Sequence, residues 1–437
     1  MYLLLQLLVI VLAFISLEHE AITTYAQPYT SVVAQINKHT DVAKPVYSVQ
    51  IMTSRVDEQY LHANFIIDID APFIWHDCIV RWETSSSTCP PGVPFGTLCT
   101  YPVSCEEYQC EDVQTTYRYK DPSCYGSGNS MLPGWGCTCQ VQVINPMTGS
   151  CSNALLNYDD FTLYVSDGKK VGIDAFNQVY GANPNAACAR APSSYASFPV
   201  NVSGVMAFSS SRYALPAYLY QPLKKTLALC FPSKSSTPGV LFFGTGPYYL
   251  PPQSNVDVRS YLSYTPLLKQ QDYFGYFISV NDIVIKKRSI NVAANTTTKL
   301  STIDPYTILR TDIYNGVIRR FSMVTKRLPS AKPVAPFGLC YTTSTNSLRV
   351  PDIDFILPYG KKWSVSTANS MKQVTNEVAC LAFVDGGAKS EPAIVIGTFQ
   401  FEDNFLEFNL ENSTFGFSSS LLRKKTSCAN FNFTLTG

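Results

Sequence analysis

The feature of the sequence that most restricts its fold is a short pattern that occurs twice. Residues 64–75 contain an apolar strand, a turn with a carboxylate and a second apolar strand, and residues 298–309 repeat that rhythm. Each is followed downstream by an apolar run that ends at a glycine, at 198–204 in the first half and at 393–397 in the second. Such a repeat indicates one structural unit built twice. We therefore predict two lobes of similar architecture.

Most other segments are typical of short strands. Residues 47–52 and 240–244 are rich in Val, Ile and Phe and are bounded by turn-forming residues. Helical periodicity is brief, and the best cases are 311–323 and 214–223. A chain of 437 residues that is 46% apolar exceeds one ordinary domain. The sequence thus predicts a mostly β fold.

The amino terminus predicts secretion. Residues 3–17 form a nearly continuous apolar run, shorter than the ~20 residues that a membrane span needs. We expect a signal peptide over residues 1–26 with cleavage near Ala26. No second apolar stretch of spanning length follows, so we expect a secreted, extracellular protein of the apoplast or cell wall that is not membrane-bound.

The fourteen cysteines all lie downstream of that segment, and their even number favours pairing in an oxidising compartment. They are dense between Cys78 and Cys151, where periodic apolar residues are few, which predicts a cross-linked insertion in the first lobe. One close pair, Cys137 and Cys139, and four scattered histidines do not give zinc-ligand spacing. We expect no metal and no cofactor.

Four acceptor sequons agree with secretion, at Asn201, Asn295, Asn412 and Asn432. Removal of residues 1–26 takes away two glutamates and leaves 33 basic and 30 acidic residues, a formal net charge of +3. Such a balance predicts no nucleic acid partner. We expect the mature protein to be a monomer.

Several stretches resemble the pepsin-type aspartic peptidases, and more closely their plant branch of extracellular dermal glycoproteins, xylanase inhibitors, xyloglucanase inhibitors and basic seed globulins. The most specific stretches are 65–78, 204–219, 301–314, 335–340, 394–404 and 427–434. The resemblance implies a mostly β, two-lobed pepsin-like fold, with an N-terminal lobe over 27–258 that holds the Cys-rich insertion and a C-terminal lobe over 259–437. Two disulfides are expected, Cys230 with Cys428 and Cys340 with Cys380.

In active members of the family, each lobe donates one aspartate from an Asp-Thr-Gly or Asp-Ser-Gly turn, and the two carboxylates share a proton. Here Asp68 has the first position but is followed by Ile, Asp and Ala. Counting back from Tyr314 puts Ser301 at the second position. An alternative register puts Asp304 there, but Pro305 would then occupy a position that needs a small hydroxyl residue. We therefore expect a degenerate dyad and no peptidase activity.

Members of this plant branch that have lost the dyad are similar to inhibitors of microbial cell-wall glycoside hydrolases. Such a hydrolase presents two carboxylates about 5 Å apart if it is a retaining enzyme, and an inserted cation can block them. The resemblance puts the inhibitory loops at 385–392 and 326–333. Their candidate contact residues are Lys389, Glu391, Lys326, Arg327, Ser330 and Lys332.

Two of these residues depart from the family pattern. Glu391 stands where xyloglucanase inhibitors have an arginine, and Ser330 stands at a basic position. The sequence favours an inhibitor of a secreted xyloglucan endoglucanase or xylanase. The alternative is a storage, cell-wall or peptide-binding protein of the basic globulin type.

Overall fold

A computed structural model describes most of the chain. The described residues are 29–56, 59–78, 81–82, 97–98, 102–116, 124, 130–132, 136–172, 179–189, 191–252, 255–343 and 348–434. The predicted signal peptide and much of the Cys-rich segment, including Cys89 and Cys99, lie outside them.

The described residues are mainly strands. In chain order these are β1 Ser31–His39, β2 Val46–Val56, β3 Gln59–Asp68, β4 Ile74–Asp77, β5 Arg81–Trp82, β6 Thr97–Leu98, β7 Ser130–Leu132, β8 Gly136–Thr138, β9 Gln140–Ile144, β10 Cys151–Tyr158, β11 Phe161–Ser166, β12 Val179–Ala182, β13 Asn185–Ala189, β14 Val202–Ala207, β15 Thr226–Cys230, β16 Gly239–Phe243, β17 Ser263–Pro266, β18 Phe277–Val280, β19 Asp282–Ile285, β20 Arg288–Ser289, β21 Thr296–Leu300, β22 Thr307–Leu309, β23 Ser330–Ala331, β24 Cys340–Thr342, β25 Ile353–Ile356, β26 Lys362–Val365, β27 Met371–Thr375, β28 Val378–Leu381, β29 Phe383–Asp385, β30 Ile394–Ile396, β31 Phe405–Asn409 and β32 Thr414–Phe417.

Helices are few and mostly short. The α-helices are α1 Tyr108–Thr116, α2 Gln221–Lys224, α3 Thr311–Val324, α4 Thr367–Ser370 and α5 Thr398–Phe401. The 3-10 turns are Pro192–Tyr195, Leu215–Tyr218, Val258–Tyr261, Pro358–Gly360, Leu421–Lys424 and Cys428–Asn430.

The two helices predicted from periodicity have different outcomes. Helix α3 forms as expected, because Ile313, Val317 and Phe321 make one buried stripe at a spacing of four residues. The segment 214–223 is instead divided between a 3-10 turn and α2. Each of these short helices has a proline at its start, where the missing N–H is tolerated, so the second proline interrupts a continuous helix.

The sequence repeat corresponds to a structural repeat. In the first half, β14 lies between β3, to which it is parallel, and β4, to which it is antiparallel. In the second half, β30 has the same relation to β21 and β22. Gly204 is required in β14, because a Cβ there would lie 2.3 Å from the carbonyl oxygen of Trp75. The close approach of three strands therefore explains why the apolar run carries a glycine.

A shared sheet joins the two halves. Strands β17, β32, β31, β15, β16 and β1 are neighbours in that order within the 15-stranded sheet, so strands from the start, middle and end of the chain meet there. A buried polar contact supports this joint: Glu402 Oε1 lies 2.7 Å from Lys38 Nζ and accepts a hydrogen bond of 2.7 Å from Tyr47. The lobe boundary at residue 258 stays a prediction.

Six disulfides lie among the described residues. Two of them, Cys230–Cys428 and Cys340–Cys380, are the pairs expected from the sequence. The others join cysteines that sequence reasoning left unassigned: Cys78–Cys188, Cys105–Cys137, Cys110–Cys139 and Cys124–Cys151. Three of these four close short loops inside the Cys-rich segment, where apolar packing alone would be weak.

We predict that Cys230–Cys428 contributes more to stability than Cys340–Cys380. The first spans 198 residues and the second 40. Since chain entropy lost by the unfolded state grows with loop length, replacing the first pair by alanines should lower the free energy of unfolding by about 1 kcal/mol more than replacing the second. Urea unfolding of both double variants measures this, and an equal or reversed loss contradicts it.

Candidate functional site

The two turns of the structural repeat hold Asp68 and Ser301 in matching positions. Asp68 Oδ1 accepts hydrogen bonds from the backbone N–H groups two and three residues later, at 2.8 and 3.1 Å. Ser301 Oγ accepts from the corresponding N–H groups in its own turn, at 3.3 and 3.0 Å. A hydroxyl thus takes the structural place of a carboxylate oxygen in the second turn.

The same contacts locate Asp304. Its backbone N–H is the second donor to Ser301 Oγ, so Asp304 corresponds to Ala71 in the first turn rather than to Asp68. Its carboxylate accepts a hydrogen bond of 2.8 Å from the Ser301 hydroxyl. This geometry favours the register that puts Ser301, and not Asp304, opposite Asp68.

One threonine ties the two turns together. The buried Thr302 hydroxyl donates to the carbonyl oxygen of Ile67 at 2.7 Å and accepts from the N–H of Ile69 at 3.2 Å. Ile69 occupies the equivalent position in the first turn, and its side chain has no hydroxyl with which to return the contact. The link between the turns is therefore made from one side.

An ion pair crosses the centre between the halves. Lys299, which lies on β21, bonds through its ammonium to the carboxylate of Asp70 in the first turn. Burial lowers the pKa of Lys299, but the carboxylates around it, Asp70 foremost and then Asp68 and Asp304, outweigh burial and raise it. Lys299 is therefore a positive charge paired with Asp70, two residues after Asp68. Sequence reasoning did not single it out.

Asp68 itself has an altered acidity. Burial and the neighbouring Asp70 carboxylate raise its pKa to about 6, although two backbone N–H groups and Lys299 act in the opposite direction. A single carboxyl that is partly protonated in mildly acidic solution can hydrogen-bond a ligand. It cannot carry out the two-carboxylate chemistry that needs a base and an acid together.

The two candidate loops lie next to α3 at different points. The loop after β29 is held at the start of the helix by the Thr311 hydroxyl, which donates to Asp385 at 2.7 Å, and by the N–H of Gly386, which donates to Leu309 at 2.8 Å. The other loop begins just after the last helical residue, Val324. Gly338, five residues beyond that loop, packs against the Tyr314 ring, since a Cβ there would lie 2.3 Å from the Tyr314 hydroxyl oxygen.

The candidate contact residues on these loops are exposed. They are Lys389 and Glu391 on the first loop, and Lys326, Arg327, Ser330 and Lys332 on the second. Ser330 lies on the short strand β23, paired with Tyr341. The carboxylate of Glu391 accepts a hydrogen bond of 3.2 Å from Arg310, which precedes it by 81 residues. No local pattern in the sequence connects these two residues.

Two family matches account for most of the chain. Residues 50–245 match the family described as Xylanase inhibitor N-terminal, and residues 275–419 match Xylanase inhibitor C-terminal. The chain belongs to the xylanase inhibitor family. Ile69 and Ser301, which depart from the aspartic peptidase pattern, therefore occur in a member of a pepsin-like family that is named for xylanase inhibitors.

Among relatives, this xylanase-inhibitor-family chain is 33% identical over 426 residues to a protein from rice, Oryza sativa subsp. japonica, named chitinase CLP, covering 92% of this chain and 91% of that protein. It is 35% identical to gamma conglutin 1 of Prunus dulcis, covering 74% and 80%. It is 31% identical to probable aspartic proteinase GIP2 of Nicotiana benthamiana, covering 84% and 85%.

Solved structures of similar fold agree with the two-lobed expectation. The crystal structure of edgp covers 94% of this chain and all of its own, with a TM-score of 0.76 and 28% identity. Conglutin gamma from lupine seeds covers 93% of this chain and all of its own, with a TM-score of 0.74 and 26% identity. The mostly β, pepsin-like fold predicted from the sequence is therefore confirmed.

The remaining predicted sites lie at the surface of this family member. Asn201, Asn295, Asn412 and Asn432 are all exposed, as acceptor asparagines must be. Within the described ranges, no three side chains of His, Cys, Asp or Glu come together as a metal site would need. The described helices include none with the length and apolar character to cross a membrane.

We predict that Thr302→Val destabilises the protein while Thr302→Ser does not. Valine removes the hydroxyl and leaves the buried N–H of Ile69 and carbonyl of Ile67 without it, at a cost of about 1–3 kcal/mol. Serine keeps the hydroxyl and serves as the matched control. Thermal and urea unfolding of the two variants measure the difference in stability. Equal stability of both variants contradicts the role of the Thr302 hydroxyl.

We predict that Asp68→Asn flattens the pH dependence of stability. Because folding raises the Asp68 pKa from 3.8 to about 6, the folded state binds more protons between those values, and the stability that this group contributes is lost as pH rises through 6. Asparagine can still accept both backbone hydrogen bonds. Melting temperatures between pH 4 and 7 should therefore fall less steeply than in the parent protein.

The exposed Glu377→Gln is the control for the pH experiment, since it removes an exposed carboxyl that is distant from the turn in the sequence. Its melting profile should follow that of the parent protein. An unchanged slope in Asp68→Asn, or an equal change in the control, rules out the assignment to Asp68.

Proposed function

We propose that this protein is a secreted, non-proteolytic aspartic-peptidase homologue that inhibits a microbial cell-wall glycoside hydrolase, either a xyloglucan endoglucanase or a xylanase. The observation that carries the proposal is the set of exposed cations on the 385–392 and 326–333 loops, the first of which is held against the start of α3. Membership of the xylanase inhibitor family supports the same reading.

The charges suit the target. A retaining glycosidase holds two carboxylates about 5 Å apart in an open cleft. A cation inserted between them forms charge-assisted hydrogen bonds in a partly desolvated site, where they are stronger than in water. Lys389, Lys326, Arg327 and Lys332 are the exposed cations on the two loops. A rigid body with two such loops can block a cleft without itself doing chemistry.

The degenerate centre supports a non-proteolytic role. Ser301 occupies the turn position that corresponds to Asp68, and its neutral hydroxyl cannot share a proton as a second carboxylate would. Lys299 also brings a positive charge to the first turn, paired with Asp70. Binding at the loops is therefore independent of the remains of the peptidase site.

Secretion is part of the proposal. Six disulfides among the described residues suit an oxidising compartment. Four exposed sequons and the amino-terminal apolar run point in the same direction. The protein would then meet a microbial hydrolase in the apoplast or cell wall, as a monomer in a 1:1 complex.

A second candidate is a storage, cell-wall or peptide-binding role of the basic globulin type. It is favoured by Glu391, since a carboxylate in that position repels the acidic cleft of a hydrolase. Similarity to gamma conglutins also supports it. In this case the protein would not inhibit a hydrolase, and charge reversal in the two loops would have no effect on hydrolase activity.

We predict stoichiometric inhibition of at least one secreted fungal xyloglucan endoglucanase or xylanase by the purified mature protein. Reversing the charge at Lys389 should weaken inhibition at least about tenfold, because a repelling carboxylate replaces a cation at the interface. The same reversal at Lys44, an exposed lysine of the β1–β2 turn, is the matched control. Residual hydrolase activity on xyloglucan and xylan gives the inhibition constants.

Two further assays separate the alternatives. The protein alone is incubated with chitin and with a denatured protein substrate at pH 3 to 7, because relatives carry the names chitinase and probable aspartic proteinase. Turnover in either assay overturns the non-enzymatic proposal. If the protein inhibits none of the fungal xyloglucan endoglucanases and xylanases tested and shows no turnover, the inhibitor proposal is overturned in favour of the globulin-type role.

A further inference from the structure

Arg310 lies beside the first candidate loop, 385–392, and contacts its residue Glu391. It links the end of β22 to the start of α3, so its backbone belongs to the fold and not to either loop. Its N–H donates to the carbonyl oxygen of Ala393 at 2.8 Å, directly after the first loop. The guanidinium is thus carried by backbone that joins two regular elements, and it lies next to the first loop.

Two carboxylates hold the guanidinium in unequal ways. Asp312 accepts two hydrogen bonds, from Nε at 2.8 Å and from Nη2 at 3.0 Å, in the paired geometry that suits arginine. Glu391 accepts one, from Nη1 at 3.2 Å, and its side chain is 74% exposed. Asp312 therefore fixes the orientation of the guanidinium, while Glu391 makes a single contact in open solvent.

The energetic consequence follows from exposure. An ion pair on the surface is typically worth about 0.2–1 kcal/mol, because water screens it and the side chains lose freedom. A partner carboxylate that removes water from the Arg310 guanidinium would gain more than Glu391 does. Glu391 is therefore a carboxylate that another carboxylate can displace at little cost.

We propose that Arg310 is the cation that enters the acidic cleft of the target hydrolase. In the free protein, Glu391 occupies the position that a carboxylate of the hydrolase takes in the complex. This inference rests on the proposed inhibitory function and adds the residue through which it acts. Asp312 is a positioning residue that keeps the guanidinium fork aimed toward the partner. The partner's catalytic carboxylate replaces Glu391 at Nη1, and Glu391 returns to solvent.

The pairing with Arg310 accounts for the glutamate at residue 391, where xyloglucanase inhibitors have an arginine. A glutamate where a loop arginine is expected would repel an acidic cleft if it stood alone. Here it neutralises Arg310 in the free protein, and its cost on binding is only that of an exposed pair. Arg310, at the start of α3, can then provide the inserted cation that residue 391 of the loop does not provide.

The test is a double-variant cycle on inhibition of a fungal xyloglucan endoglucanase and a fungal xylanase. Arg310→Gln should weaken inhibition at least about tenfold, since it removes the charged fork. Glu391→Gln should strengthen inhibition about two- to fivefold, the equivalent of an exposed ion pair that no longer competes. In the double variant, the gain from Glu391→Gln should vanish, because the residue that it frees is gone.

Matched controls separate local contacts from overall charge. Arg423→Gln removes another exposed arginine that forms a two-bond pair with an aspartate, Asp352. Glu411→Gln removes another exposed carboxylate paired with a cation, Lys225, at 2.9 Å. Neither control should change inhibition. Unchanged melting temperatures of all variants show that a loss of inhibition is not a loss of fold.

The outcomes distinguish the two proposals. If the parent protein inhibits a hydrolase but Arg310→Gln behaves as Arg423→Gln does, Arg310 is not the inserted cation and the inhibitor role stands. If the gain from Glu391→Gln persists without Arg310, Glu391 acts directly on the partner and the displacement mechanism is wrong. If the parent protein inhibits neither hydrolase, the proposed function and this inference both fail.

Discussion

The hydroxyl of Thr302 is the contact on which the centre of the molecule depends. It spans from the second turn to the backbone on both sides of Asp68, through Ile67 and Ile69. The two turns are therefore joined by one buried side chain. The ion pair between Lys299 and Asp70 crosses the same centre, and the Tyr276 hydroxyl donates to the carbonyl oxygen of Phe208 at 2.8 Å. Together these contacts define the distance between the halves at their centre.

This arrangement differs from the one that peptidase chemistry requires. A peptidase needs two carboxylates of nearly equal environment so that one proton is shared. Here one turn has a carboxyl whose pKa is raised to about 6, and the other has a hydroxyl. The positive charge of Lys299 interacts with the nearby carboxylates, that of Asp70 foremost. The centre thus joins the two halves, and under the proposed function the exposed charges on the loops beside α3 are the part of the molecule that meets a partner.

Patterns that depend on neighbours in the chain were predictable from the sequence. The repeated strand–turn–strand unit and helix α3 follow from apolar periodicity, and both are present. The helix expected at 214–223 was wrong in its continuity, because proline at the start of α2 divides it. The cysteine pairs of the dense segment could not be assigned, since many pairings satisfy the same spacing. The family resemblance supplied what periodicity could not, namely which turn residues correspond.

Contacts between distant charged residues could not be predicted from the sequence. Arg310 and Glu391 lie 81 residues apart, and Lys299 and Asp70 lie 229 apart, so no local pattern predicts either pair. The strand content, the duplication, the number of cysteines and the loss of the turn residues could be predicted from the amino-acid sequence, because they depend on composition and short-range order. Which charges meet depends on the fold, because the sheets bring together segments that are far apart in the chain.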